Sequence, residues 1–378
     1  MKANRHPDIM WTYTQPTEIT FGAGSRHRLP DMAGRFGARA VLVTDRALAE
    51  LPMVGEALEA LGPEALLFSE VEPNPQVSTV DRLAGLLREH RVDVAVAIGG
   101  GSSLDCAKAA CSVARQDGPI RRYHSGGEKL GPAHLPLIAM PTTAGTGSEV
   151  TPIAVLDDPE QGVKAPLAHP NFFPKLALVD PELTLTLPRL VTASTGLDAL
   201  AHAVEGYWSN NHQPICDVLA KEAARLVFAH LPTVLDEPGN LPAREGMAQA
   251  ALLGGMAFQL PKNAAVHACS FPLSSDYHLP HGTACAMTLD LFARFNAPAL
   301  GERGAVLAQA AGFADMIAMA DGIAALKAHS GLPTRLSEAG VAESDLDQLV
   351  TDSFHPLMNN NPRPVSPEEL RELYRSIL

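Results

Sequence analysis

Charge is scarce in this chain. Of its 378 residues, 19% are charged and 46% hydrophobic, against about 25% charged in an ordinary globular domain. A chain this apolar can bury a large core, which excludes global disorder. The charge present runs acidic, with 29 Lys+Arg against 42 Asp+Glu and a net of −13. Nucleic-acid binding needs a basic face that displaces counterions, so that class is excluded for the protein as a whole. A single cationic pocket for a small anion is not excluded. Cysteine is sparse as well: five residues, at 106, 111, 216, 269 and 285, with no CxxC pair. That odd count argues against a disulfide framework and for a reducing cytoplasm. The stretch 1–22 contains no continuous apolar segment, so no secretory signal is expected. Nor is there an uncharged apolar run of about 18 residues to span a membrane.

At about 150 residues per domain, the length predicts two domains. In the first half, apolar β-branched runs at 39–45, 65–70, 92–100 and 135–143 read as buried strands. Between them, 46–62, 78–91 and 102–115 show helical spacing. Near-continuous apolar strands alternating with helices predict a parallel, doubly wound, Rossmann-like sheet. After 176–188 the texture changes to long Ala/Leu-rich stretches such as 198–208, 216–231 and 244–260. These predict an all-helical second domain, giving a division into 1–182 and 183–378.

Gly99, Gly100, Gly101 and Ser102 follow a strand and open a helix. Absent side chains let a backbone approach a pyrophosphate, and free N–H groups at a helix start stabilise its charge. The usual GxGxxG fingerprint fails, because Leu104 occupies the last glycine position. A plain tight turn explains such a run equally well. A second loop, PTTAGTGSEVT at 141–151, lies beyond the end of the next strand. Alone it reads as Asx- and ST-turn chemistry. Ligands of open α/β sheets sit at the carboxyl ends of strands, so both loops are expected to face one crevice.

GGGSSLDCAK (99–108), PTTAGTGSEVT (141–151) and TGLDALAHAVEGYW (195–208), followed by His267 and PHG (280–282), resemble the iron-dependent group III alcohol dehydrogenases. The motifs fall in family order across most of the chain. The resemblance implies a dehydroquinate synthase-like architecture, with hydride transfer in a cleft between a dinucleotide domain and a helical metal-binding domain. It implies cofactor contacts from Asn74, Gly99, Gly100, Gly101, Ser102, Ser103, Asp105, Thr142, Thr143, Thr146, Ser148 and Lys164. A homo-oligomer, most simply a dimer, is also implied, with the N-terminal segment 11–22 either swapped onto a partner or folded as an edge hairpin.

The implied metal ligands are Asp198, His202, His267 and His281. Asp198 and His202 are four apart, hence about 40° apart on a helix and on one face. One carboxylate and three imidazoles can hold a divalent first-row metal with positions left for a substrate oxygen. The resemblance favours Fe(II), while the ligand chemistry also suits Zn(II), Mn(II) or Co(II). The chain departs from the pattern at Phe271, where many relatives carry a further His; His278 is the nearest substitute.

Asp45 ends the first of these strands. There it either accepts hydrogen bonds from an adenosine ribose, favouring NAD(H) over NADP(H), or caps the next helix. The stretches around 207–220 and 259–275 look closer to the phosphonoacetaldehyde reductase branch than to general alcohol dehydrogenases. That makes Lys262, five residues before His267, a candidate for the substrate's anionic group; the alternative is a solvated Lys at a helix end. The function expected is metal-dependent interconversion of a small aldehyde and a primary alcohol, best phosphonoacetaldehyde and 2-hydroxyethylphosphonate, with short alcohols or diols next. A dehydroquinate synthase-type lyase is remote, since that family has Glu where this chain has Asp198. A non-catalytic scaffold is remote too, because all four metal positions and both loops are intact.

Overall fold

Every central strand of the first half is buried on both faces, and its residues alternate between two cores. The computed structural model describes residues 10–125 and 127–378; the first nine residues of the stretch read for a secretory signal lie outside it. Its strands are β1 (Glu18–Phe21), β2 (Ala40–Asp45), β3 (Leu66–Val71), β4 (Val94–Gly99), β5 (Leu137–Pro141), β6 (Ile153–Asp158), β7 (Val163–Ala168) and β8 (Leu176–Val179). Six form one parallel sheet in the order β1-β8-β5-β4-β2-β3. The connecting helices are α1 (Leu29–Gly34), α2 (Arg46–Ala49), α3 (Pro52–Leu61), α4 (Val77–Glu89), α5 (Gly101–Val113) and α6 (Arg121–His124). Val41, Val43, Ala95 and Ala97 pack under α4 and α5, while Leu42, Val94, Val96 and Ile98 face α1 and α3. This two-sided burial is the doubly wound sheet that the apolar runs predict.

Three features differ from the sequence expectations. The segment 46–62 is two helices, because Pro52 starts a second one. The N-terminal segment is not a hairpin: β1 adds in parallel to β8, pairing Glu18 with Leu176. An antiparallel ribbon of β6 and β7 stands beside the main sheet, pairing Asp157 with Lys164. Its alternation is interrupted by Pro166, and it is held against the sheet domain by a bridge from Gln76 to Asp157.

After β8 the described residues are helical: α7 (Arg189–Trp208), α8 (Pro214–Asp236), α9 (Leu241–Ala257), α10 (Ala265–Ser275), α11 (His281–Ala310), α12 (Met316–Ser330), α13 (Leu346–Ser353) and α14 (Pro367–Arg375), with short 3-10 turns between. They bury one continuous core of their own, to which the first half contributes Ala144. The changeover between cores falls between Leu183 and Ala193. No described helix is long and apolar enough to cross a membrane. All five cysteines are buried and unbridged.

The halves meet across glycines. Gly147, at φ 60°, lies so close to α9 that a Cβ there would sit 2.5 Å from Gly255 Cα and 2.8 Å from Ala251 O. On the other side of α9, a Cβ on Gly254 would touch Ala199 O at 3.4 Å and His202 Cβ at 3.8 Å. Helix α9 is therefore wedged between the second loop and the helix that carries His202. Gly255, which costs the helix about 1 kcal/mol against Ala, is explained by this approach, since its own Cβ would lie 2.7 Å from Gly147 O, whereas a Cβ on Gly254 would make only ordinary contacts.

Candidate active site

Both loops lie at the carboxyl ends of adjacent strands, joined by Thr142 N–H donating to Gly99 O at 2.9 Å. Gly99 has φ 157° and is packed so that a Cβ would meet Ser103 Oγ, hence only glycine fits. From there α5 starts at Gly101, its first N–H groups facing the cleft end of the sheet. Asn74, itself in the left-handed region at φ 56°, donates its N–H to Ser102 Oγ at 3.3 Å. Asp105 is spent internally: Ser148 Oγ donates to it at 2.5 Å and Val155 N–H at 2.9 Å. The fully buried Lys108 donates to Ser148 Oγ, Thr151 Oγ1 and Ile153 O. Burial pulls the Lys108 pKa down and pushes that of neighbouring Glu149 up to about 7. This network fixes the second loop and the β6–β7 ribbon to α5.

Across the cleft, four side chains from three helices converge. Asp198 and His202 share a face of α7, His267 lies in the first turn of α10, and His281 opens α11. His267 Nε2 lies 3.1 Å from His202 Nε2. Asp198 Oδ1 stands 3.7 Å from both His267 Nε2 and His281 Nε2. That oxygen is buried and has no hydrogen-bond partner. Cys285, one turn after His281, brings its Sγ to 3.9 Å from His281 Nε2. Burial and the neighbouring imidazoles hold His202 well below its ordinary pKa, and burial takes His281 down to about 4. His267 moves the other way: burial lowers it, but Cys285 and Glu205 outweigh burial and raise it well above the usual value.

Glu205 is the residue that sequence reasoning missed. It is completely buried, accepts the Val266 N–H at 2.7 Å and the His267 N–H at 3.4 Å, and hydrogen-bonds His267 Nδ1. It both caps α10 and fixes the ring so that Nε2 points at the cluster. The signal was present: Asp198, His202 and Glu205 are spaced four and three apart, along one helix stripe.

Between these halves lies a cleft of about 260 Å³. Its sheet-side wall includes Asn74, Gly101, Ser102, Thr146, Ser148 and Lys164, and its far wall His202, His267, His281, Phe258 and Phe271. Phe258 stacks on His202 at 4.4 Å, and Phe271 packs edge-on against His355 at 4.8 Å. Lys262 lines the same cleft, in the left-handed region at φ 63°, its N–H donating to Phe258 O at 2.9 Å. Burial lowers its pKa. Nearby, Asn263 Oδ1 and Ser274 Oγ are buried without hydrogen-bond partners.

Other expected residues stand back from the cleft. Gly99, Gly100, Ser103, Thr142 and Thr143 are behind its wall, and Asp198 lies beneath the imidazoles. Asp45 Oδ1 accepts the Leu48 N–H at 2.9 Å, so the structure displays its capping role. His278, in the linker before α11, does not line the cleft.

Two small-residue loops at the carboxyl ends of adjacent strands, facing an Asp–His cluster across a cleft, are a layout that suits a metal-dependent dehydrogenase. The chain belongs to the iron-containing alcohol dehydrogenase family: residues 16–181 match the model of iron-containing alcohol dehydrogenases, and 192–378 that of the family's C-terminal region. The family is one of NAD-linked oxidoreductases that use iron. Among solved structures, sulfoacetaldehyde reductase from Bifidobacterium kashiwanohense in complex with NAD+ is 42% identical, with a TM-score of 0.94, over 98% of this chain and 99% of that one. The 1,3-propanediol dehydrogenase of Klebsiella pneumoniae is 36% identical over 97% of this chain and 98% of its own. Sulfoacetaldehyde reductase from Bilophila wadsworthia is 34% identical over 89% and 91%.

Proposed function

We propose that this enzyme uses NADH and iron to reduce a short aldehyde whose far end carries a sulfonate or phosphonate. The observation that carries this reading is Lys262, a half-buried cation in the cleft wall that, among the described residues, makes no ion pair. On a protein of net charge −13, such a cation favours an anionic substrate that the rest of the surface repels.

The donor set fits a divalent metal. Asp198 Oδ1 is buried and unsatisfied, and imidazole nitrogens face it at distances too long for hydrogen bonds. Asp198, His202, His267 and His281 would hold the ion. When bound, the metal supplies Lewis-acid polarisation of the carbonyl, and the nicotinamide supplies the hydride. The chain's own contribution is positional. Glu205 orients His267, the Asp105–Ser148–Lys108 network sets the cofactor side, and Phe258 and Phe271 keep water from the reacting carbon. Asn74, Gly101, Ser102, Thr146, Ser148 and Lys164 would line the cofactor's path, with Asp45 at the adenosine end favouring NAD(H).

Lys262 decides the substrate class. One ammonium neutralises a sulfonate in full but a phosphonate dianion only by half; Lys164, also in the cleft wall, stands opposite Asp157 in the ribbon, whose carboxylate acts on it. The two sulfoacetaldehyde reductases among the relatives support the sulfonate as well. The test is Lys262→Ala, assayed with sulfoacetaldehyde, phosphonoacetaldehyde and propanal. A buried charge-assisted contact is worth about 1.5–3 kcal/mol, so KM for the charged aldehydes should rise from about tenfold to over a hundredfold while propanal is unaffected. Equal losses on all three aldehydes would assign Lys262 to folding. No loss on any would leave a general short-alcohol dehydrogenase, the reading favoured by the apolar wall of Phe258, Phe271 and Leu357.

A further inference from the structure

A second cavity, of about 340 Å³, opens on the opposite end of the sheet from the cofactor loops. Its floor is apolar, made by Leu87, Ala114 and Leu135, and its rim is four arginines: Arg39, Arg88, Arg91 and Arg115. Arg39 leads into β2, Arg88 and Arg91 end α4, and Arg115 follows the end of α5. On a chain with 29 Lys+Arg against 42 Asp+Glu, four guanidinium groups around one small cavity need a physical reason.

Helix ends supply part of one. Each helix C-terminus carries about half a negative charge, so α4 and α5 together offset about one of the four cations. Asp93 offsets another, holding Arg39 at 2.7 Å. Arg88 reaches only a carbonyl, Val113 O at 3.4 Å. Among the described residues, no carboxylate pairs with Arg88, Arg91 or Arg115. About two positive charges remain uncompensated. Arg91 adds an independent sign. It terminates α4 with φ 49°, its N–H bonded to Arg88 O and the next N–H to Leu87 O. That is the left-handed closing position where glycine is usual. An arginine there holds its guanidinium at the cavity at the expense of backbone strain.

We propose that this cavity binds a compact phosphate-bearing polyanion, a bisphosphate by size and by the number of arginines, at a site separate from the aldehyde and the nicotinamide. Guanidinium forks match phosphate oxygens in pairs, four arginines can serve two phosphates, and the apolar floor accommodates a short carbon skeleton. The site rests on the arginine geometry and not on the reading of the active-site cleft.

Calorimetric titration of the iron- and NAD-loaded full chain with fructose 1,6-bisphosphate, inorganic phosphate and fructose tests it, at low salt and again at raised sodium chloride. The bisphosphate should bind one per chain, more tightly than phosphate, with fructose silent and affinity falling as salt rises. Arg91→Asn keeps a residue that tolerates the left-handed conformation while removing the guanidinium. It and the double variant Arg88→Gln/Arg115→Gln should each weaken the bisphosphate at least tenfold, with aldehyde turnover showing that both are folded. Lys262→Ala should bind it unchanged. No binding by the native chain overturns the proposal. So does undiminished binding in both arginine variants, which would place the anion elsewhere, or a loss in Lys262→Ala, which would place it in the catalytic cleft.

Discussion

The two walls of the active-site cleft are built on opposite principles. The sheet-side wall, which we propose faces the cofactor, rests largely on backbone and short side chains, Gly101, Ser102, Thr146 and Ser148 joined by Asn74 and Lys164, with Gly99, Gly100, Ser103, Thr142 and Thr143 packed behind them. The facing wall is made of side chains gathered from 198, 202, 267 and 281, three helices apart in the chain. A backbone wall is local and forgiving of side-chain chemistry but intolerant of volume. A side-chain wall is intolerant of chemistry, and it depends on tertiary packing to exist at all.

The largest effect should come from the chemical wall. His267→Ala should abolish aldehyde reduction and most bound iron, read by metal analysis, while NADH fluorescence titration still shows binding, because the cofactor wall has its own core. Wild-type turnover in that variant would remove His267 from the ligand set. Glu205→Gln preserves shape but weakens the acceptor at His267 Nδ1. Activity or iron affinity should fall by about 10–100-fold, and unchanged metal affinity together with unchanged turnover would reduce Glu205 to a helix cap.

The backbone wall should respond to volume alone. A Cβ on Gly100 meets nothing of the protein nearer than Thr143 at 3.4 Å, whereas one on Gly101 meets Thr146 Cγ2 at 2.9 Å. Gly100→Val should therefore raise the NADH dissociation constant with the melting temperature nearly kept, and Gly101→Val should lower both affinity and melting temperature. Loss of iron in Gly100→Val would break the division between the walls. The smallest effect is expected at Asp45, whose carboxylate is already engaged by Leu48 N–H. Asp45→Gly should improve use of NADPH relative to NADH, measured by the ratio of kcat/KM; an unchanged ratio leaves Asp45 as a helix cap.

The contrast also governs what could be read from sequence. The glycine loops were legible because their meaning is local: a strand, a small-residue turn and a helix start within ten residues. Strands β2, β4 and β5 were legible because burial on both faces writes itself as an unbroken apolar run, while β8, just as buried, was not, being only four residues long. The edge strand β1 and the ribbon β6–β7 were not, since EITF and VKAPLA are half-exposed and follow no such run. Asp198 and His202 declared a shared helix face by spacing, but nothing in the interval from 202 to 267 announces that α10 folds back onto α7. That closure is set by the core of α7 to α14, and by Glu205 capping α10 across 61 residues of chain. The resemblance bridged the gap; composition and periodicity did not. Lys262 had two readings, a substrate-facing cation and a solvated helix end; the structure places it half-buried in the cleft wall, and its role is the one proposed above.

Helix α9, clasped between Gly147 and His202 through Gly254 and Gly255, works as a feeler gauge. One face meets the backbone of Gly147 in the second loop, and the other faces Ala199 O and His202 Cβ on α7. The separation of donor and acceptor is thus measured in polypeptide thickness, the least adjustable length a protein has. Reacting atoms must approach to about 3–3.5 Å for transfer, and a single added methyl on Gly255, 2.7 Å from Gly147 O, would act as a shim in that gap. Tolerances this tight are set in the machine's frame, well away from the atoms that react.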